Sequence, residues 1–271
     1  EITKQSLVEK NIISPDFANS SDESCAILIN DEENICMMIN EEDHIRMQVF
    51  GEGKAIEELM SLAIEIDQKL EKLVKYAYSE KYGYLTACPT NVGTGLRISV
   101  MVHLPGLAQT GNSNKVLHIV NNFGMNVRGV YGEGSQSMGD MYQISNNQTL
   151  GITEKEVVKN MKAITEKVVE QERIARKYLG KDTLRFEDKV YRAYGILTNA
   201  RIISSNECIE LLSDIKLGTD MGVIQELDDT KVKKLILYTK PANLQKYFGK
   251  IMDSNERDLK RAEAIKQIIN N

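Results

Sequence analysis

Two short apolar runs, "CAILIN" at 25–30 and "ICMMIN" at 35–40, flank the polar stretch "DEEN", a pattern that predicts a buried hairpin. From 54 to about 76 the apolar positions shift to three- and four-residue spacing. Leu59, Leu62, Ala63, Ile66, Leu70 and Leu73 then fall on one face, which predicts an amphipathic helix. "LRISVMVHLP" (96–105) alternates as a strand does and stops at Pro105. "GNSN" (111–114) reads as a turn, 115–123 as a helix, and 125–131 and 141–147 as strands. The glycine-rich "GVYGEGSQSMGD" (129–140) is a long loop.

Beyond 150 the period becomes helical. Thr153 with Glu156 forms a capping box ahead of an amphipathic segment reaching about 179. Ser204 with Glu207 forms another, and a last helix spans about 255–269. The strands join through hairpins and loops rather than regular βα units. The expected class is therefore α+β: a largely antiparallel sheet flanked by helices, followed by a mainly helical C-terminal region. The division is expected at 1–179 and 180–271.

Composition narrows the chemistry. A net charge of −5 over 271 residues disfavours non-specific nucleic-acid binding. No apolar run has membrane-spanning length. The four cysteines form no CxxC pair, and the three histidines show no metal-ligand spacing with them, so no protein-held metal site is expected. Cysteine usage fits a reducing compartment, most simply the cytoplasm.

Functional groups concentrate in the strand-rich half. "NEEDHIR" supplies Glu41, Glu42, Asp43 and Arg46; "CPTNVGTGLR" supplies Cys88 and Arg97; "VRGVYGEG" supplies Arg128 and Glu133. Arginine's planar fork suits phosphate oxygens, and several forks together suit a polyphosphate. No GxxxxGK[ST] run is present, so a P-loop is excluded. Taken singly, each feature reads more simply as a solvated acidic run, a small buried thiol or a surface ion pair. Only their co-occurrence favours a site.

Those three stretches, in this order, resemble the catalytic domain of the ATP:guanido phosphotransferases, the creatine and arginine kinase family, over about 20–180. "RAYGILTNAR" (192–201), "LSDIKLGTDMG" (212–222) and "NERDLKRA" (255–262) are similar to the bacterial protein-arginine kinase branch. The resemblance implies ATP and Mg²⁺ as cofactors, with Mg²⁺ bridging the ATP phosphates. It implies that Glu42 and Glu133 clamp the acceptor guanidinium, one of them as base, with Cys88 against another of its nitrogens. Arg46, Arg97 and Arg128 are then expected on the phosphates. The backbone groups of Arg97, Ile98, Ser99, Val100 and Met101, with those of Arg128, Gly129, Val130, Tyr131, Gly132 and Glu133, are expected to line the nucleotide.

The same resemblance assigns Arg257, Asp258, Leu259, Lys260, Arg261 and Ala262 to a phosphoarginine-binding motif. Arg257 and Arg261 are four residues apart and share a helix face; the plainer reading is a surface helix pairing Glu256 with Lys260. Two departures from the family stand out. The sequence begins after the place of a Ser-x-Arg-x-Arg-type stretch that helps bind nucleotide, which leaves the activity of this chain open. Asn11 stands where the family often has a His near the adenine.

The implied partners are proteins with exposed arginines. By family resemblance they include an activator protein, a stress-response repressor and an ATP-dependent protease, and the implied assembly is a homodimer. A kinase of free arginine or another small guanidine shares the same loops, and a non-catalytic phosphoarginine-binding adaptor would keep the same scaffold. Both readings stay open at the level of sequence.

Overall fold

The structure is a computed structural model that describes residues 1–53, 55–130 and 137–270. Helices α1 (Ile2–Glu9) and α2 (Pro15–Asn19) precede strands β1 (Ala26–Ile29), β2 (Ile35–Ile39) and β3 (Ile45–Val49), which form an antiparallel sheet in that order. The expected hairpin is β1–β2, but it is half-buried rather than buried. Cys36 and Met38 are enclosed against Ile12, Ile13 and Phe17, whereas Leu28 points outward at 61% exposure. Successive strand residues face opposite sides, and α1 and α2 bring apolar residues to only one of them.

Helix α3 (Ile56–Glu71) lies where the periodicity placed it, although Leu73 falls beyond its end and is exposed. A short hairpin, β4 (Tyr78–Ser79) and β5 (Gly83–Tyr84), leads through a 3₁₀ turn at Pro89–Asn91 to β6 (Ser99–His103). Pro105 ends that strand by opening α4 (Pro105–Gln109), where its missing N–H costs nothing. Helix α5 (Ser113–Asn122) begins inside "GNSN", so the expected turn is already partly helix. Strands β7 (Met125–Gly129) and β8 (Met141–Asn146) complete a second antiparallel sheet, ordered β6-β8-β7.

Helix α6 (Glu154–Leu179) carries both halves of the Thr153–Glu156 capping box. It buries Met161, Ile164 and Val168 in one core with Val102, Tyr142 and Ile144. The buried Glu172 accepts the amides of Gly106 and Leu107 at 2.9 Å each, neutralising the free donors that open α4. The remaining helices are α7 (Thr183–Asn199), α8 (Ser205–Asp220), α9 (Asp229–Tyr238), α10 (Pro241–Phe248) and α11 (Ser254–Asn270), around a core that includes Val190, Leu212, Ile215, Leu235 and Ile265. Of the second expected capping box, the half in which Ser204 accepts the Glu207 amide, at 3.2 Å, is formed.

The first helix belongs spatially to this last group. The Glu9 carboxylate accepts the amides of Ala242 and Asn243 at 2.6 and 2.8 Å and so caps α10. The buried Ser6 hydroxyl donates to Asn243 Oδ1 at 2.8 Å.

Candidate active site

The β2–β3 connection brings the acidic run to one edge of the first sheet. Asn40 sits there at φ 54°, a left-handed conformation that Asn tolerates, and its side chain donates to the Ser24 carbonyl. The three carboxylates divide their roles. Glu41 turns inward, its side chain only 7% exposed, and accepts Arg46 Nη1 at 3.1 Å. Burial pushes its pKa upward, but hydrogen bonds from Ser14 and the Glu42 amide, together with the Arg46 charge, outweigh that and hold it below the usual value. Glu42 is exposed. Asp43 reaches across to the cysteine loop: Oδ1 accepts the amides of Ala87 at 2.6 Å and Cys88 at 3.4 Å, and Oδ2 accepts Asn91 Nδ2 at 2.8 Å. One carboxylate thus sets the loop bearing Glu42 beside the loop bearing Cys88.

Cys88 is half-buried, with Sγ 3.0 Å from Thr90 Oγ1. The loop after it is pinned from two sides. Gly93 pairs with Tyr84, and the Thr149 hydroxyl donates to the carbonyls of Thr90 and Val92 at 2.9 and 2.8 Å. Gly93 has φ 113°, and an added Cβ would collide with the Thr149 carbonyl, so both backbone conformation and space require glycine.

Asn146, buried at the end of β8, accepts the Ile98 amide at 2.7 Å and donates to the Leu96 carbonyl at 3.0 Å, fixing Arg97 between them. Arg97 Nη2 donates to Ser145 Oγ at 3.2 Å. Its pKa is lowered by burial, and further by the charges of Arg128 and Arg46, so both of those guanidinium groups lie near enough to act on it. Strand register explains the shared face. Arg128 and Met101 both pair with Gln143, one row from Ser145, while Val100 and Val127 pair with the buried Ile144. Arg128 is exposed.

Of the segment predicted to line the nucleotide, Ser99 and Met101 therefore share the open face, whereas Ile98 and Val100 pack into the core and can offer only backbone. Asn11, at φ 60°, brings its side-chain amide to 3.9 Å from Met101 Sδ on that face. Gly129 ends β7, and Val130 N donates to the Met141 carbonyl at 2.8 Å. Tyr131, Gly132 and Glu133 lie outside the described residues.

The C-terminal motif is not brought to this face. Arg261 is 1% exposed and fully engaged in the fold: Nε donates to the Thr239 carbonyl, and Nη1 to the Ile203 carbonyl and to Asp258 Oδ1. Arg257 is half-buried and donates through Nη1 to the Met252 carbonyl at 2.9 Å. Lys260 stands over the Phe248 ring and pairs with Glu263, Leu259 is exposed and Ala262 is buried. Glu256 pairs with Lys250, so the Glu256–Lys260 pair of the plainer reading does not form. Sequence reasoning gave no role to Asp43, Ser145, Asn146 or Thr149. Their work is done across long chain separations, with no local pattern to mark them.

An arginine-bearing sheet face, an exposed carboxylate and a half-buried thiol are thus the groups available for a ligand. Residues 1–175 match the ATP:guanido phosphotransferase C-terminal catalytic domain, and residues 183–271 match the protein-arginine kinase McsB C-terminal domain. The chain belongs to the ATP:guanido phosphotransferase family. It is 49% identical to a protein-arginine kinase of Halothermothrix orenii over its whole length, covering 77% of that protein. It is 46% identical to one of Bacillus pumilus over 98% of this chain and 73% of that one. Among solved structures it is similar to the duplicated taurocyamine kinase of Schistosoma mansoni (TM-score 0.57, 26% identity, 70% of this chain and 29% of that one). A lombricine kinase is similar at TM-score 0.52 and 26% identity, over 63% of this chain and 50% of that one.

Proposed function

We propose that this chain transfers the γ-phosphoryl group of ATP to arginine side chains of proteins. The observation that carries this reading is the 49% identity to a protein-arginine kinase across both regions. Similarity to kinases of small guanidines is lower, at 26%. The division into a catalytic region (1–179) and a helical region (180–271) is part of the proposal.

In the proposed reaction an acceptor guanidinium nitrogen attacks the γ-phosphorus in line. A P–N bond forms, the P–O bond to ADP breaks, and the nitrogen's proton passes to a carboxylate. Glu42 is the exposed carboxylate for that proton or for its partner clamp, with Glu133 as the second. Cys88 flanks the acceptor. Arg46, Arg97 and Arg128 take the phosphates, whose charge would offset the repulsion that Arg128 and Arg46 exert on Arg97. Mg²⁺, bound to the phosphates, supplies further neutralisation of their charge. Most of the acceleration in such a site comes from holding the reactants in line.

Phosphoarginine binding at the C-terminal motif is proposed through Arg257, whose guanidinium has donors beyond the one given to Met252. Arg261 and Asp258 support the backbone around it. The cytoplasm is the proposed compartment. Incubation with ATP, Mg²⁺ and a basic protein, followed by assay for acid-labile phosphate on arginine, tests the proposal. Phosphorylation of free arginine but not of protein would replace it with a small-guanidine kinase.

A further inference from the structure

Helix α8 of the C-terminal region grips the sheet that carries the arginines. His103, the last residue of β6, has Nε2 2.9 Å from Ser213 Oγ, and the Ser213 hydroxyl donates to Asp140 Oδ2 at 3.0 Å. A carboxylate only accepts, so the single hydroxyl hydrogen of Ser213 goes to Asp140. His103 must then donate through Nε2–H, which leaves Nδ1 as a bare acceptor. Nδ1 is buried without a hydrogen-bond partner and is thus left an unsatisfied acceptor. The chain of donors therefore runs one way, from His103 through Ser213 to Asp140.

The second half of the junction is steric. Gly139 (φ 62°) and Asp140 (φ 54°) are consecutive left-handed residues at the entry to β8. A Cβ on Gly139 would lie 2.5 Å from Ile209 Cγ2, so α8 touches the backbone there. The turn is completed by the Leu104 amide donating to the Asp140 carbonyl at 2.9 Å. Gln109 Nε2, at 3.1 Å from Asp214 Oδ1, adds a neighbouring tie between the regions.

What α8 holds is the start of the central strand of that sheet. Met141 pairs with His103; two residues on, Gln143 pairs with both Met101 and Arg128; two further, Ser145 receives Arg97. The spacing between Arg97 and Arg128 is thus read off β8. We propose that Ser213 is a positioning residue for phosphoryl transfer: by tying His103 to Asp140 it fixes β8 and so the arginines that hold the phosphates. This rests on the kinase reading above.

The test compares Ser213→Ala, Ser213→Thr and a control, Leu235→Ala, which damages the helical core without removing a member of the His103–Ser213–Asp140 hydrogen bonds. Two readouts are taken: amide hydrogen exchange at Leu104 and Val130, whose N–H groups donate to the Asp140 and Met141 carbonyls, and turnover with ATP, Mg²⁺ and an arginine-bearing protein. Ser213→Ala should speed exchange at both amides and lower turnover about tenfold, the scale expected for modest misplacement of reactants. Ser213→Thr, which keeps the hydroxyl, should restore most of both. Asp140→Asn, a milder change that keeps one acceptor oxygen, should move both readouts less and serves if Ser213→Ala does not fold.

Unchanged exchange in Ser213→Ala overturns the inference. So does faster exchange with undiminished turnover, or an equal loss of turnover in Leu235→Ala at matched thermal stability. Exchange is measurable whether or not the protein turns over. An inactive wild type would therefore count against the kinase reading, while exchange alone still judges the clamp.

Discussion

Asp43 and Cys88 lie 45 residues apart in the chain, yet the Asp43 carboxylate accepts the Cys88 amide at 3.4 Å and the adjacent Ala87 amide at 2.6 Å. The thiol is thereby positioned by the same hairpin loop that presents Glu42. Replacing Asp43 by Asn keeps one acceptor oxygen but turns an amide donor toward Asn91 Nδ2 or the two backbone donors. Turnover should fall by about tenfold or more through lost alignment. Steady-state kinetics on Asp43→Asn check this, and a variant with wild-type turnover shows that the tie is dispensable.

Glu42 is exposed, so its substitution should leave the fold intact and act on chemistry alone. Glu42→Gln removes the charge and the base while keeping the shape. A loss of about 10²-fold or more in turnover is expected, the range of general-base effects. Melting temperature, measured alongside, should stay within error of wild type.

The motif loops were legible because local sequence builds them. "CPTNVGTGLR" contains its own turn residues, and Arg97 stands two residues before a strand that alternates cleanly. The missing parts are those in which distance along the chain is large. Asp43 reads only as the third member of an acidic run, and Ser213 only as part of "LSDIKLGTDMG", with no role of its own. The helix face shared by Arg257 and Arg261 was also correct, but periodicity cannot tell which face a neighbouring helix will cover. The structure buries Arg261 and assigns it to backbone carbonyls.

Thiol chemistry should single out Cys88. Cys36 and Cys208 are buried, and burial raises both thiols, Cys208 to about 11. Cys25 is half-buried and spends its S–H on the Asn40 carbonyl at 3.0 Å. Alkylation at neutral pH should label Cys88 first and abolish activity in step, with ATP and acceptor protecting it. Peptide mapping of the labelled protein decides. If inhibition tracks a different cysteine, the role given to Cys88 is wrong.

The repulsion that Arg128 and Arg46 exert on Arg97 makes opposite predictions for stability and binding. Arg128→Met removes one charge from the cluster that depresses the Arg97 pKa, so the nucleotide-free protein should melt at a higher temperature than wild type. ATP should bind more weakly by about tenfold or more, since a charge-assisted contact is worth about 1.5–3 kcal/mol. Calorimetry and thermal melts on one preparation test both signs at once.

His103 predicts a pH effect. Burial, aided by the Arg176 charge, pushes its folded pKa from 6.5 down to about 3. Between those values the unfolded chain binds a proton that the folded one refuses. Stability is therefore complete above about pH 6.5 and is lost as pH falls toward 3, by up to about 1.4 kcal/mol per pH unit. Asp140, whose pKa is raised by burial, opposes this at the acidic end. Denaturant melts at pH 7.5, 6.0 and 5.0 should show a shallower decline in His103→Gln than in wild type; parallel curves would mean that other groups set the slope.

Glu9, at the end of the first helix, supplies the anion that caps α10 some 230 residues later, as its bonds to Ala242 and Asn243 record. The order of the chain is therefore not the order of its bodies. The segment that opens the sequence is on loan to the region that closes it, and the two regions are interlocked rather than strung together. An exchange of C-terminal regions between two relatives, cut at the linker before α7, would leave each graft with a foreign strap. Such chimeras should fold well only when the first helix travels with the graft.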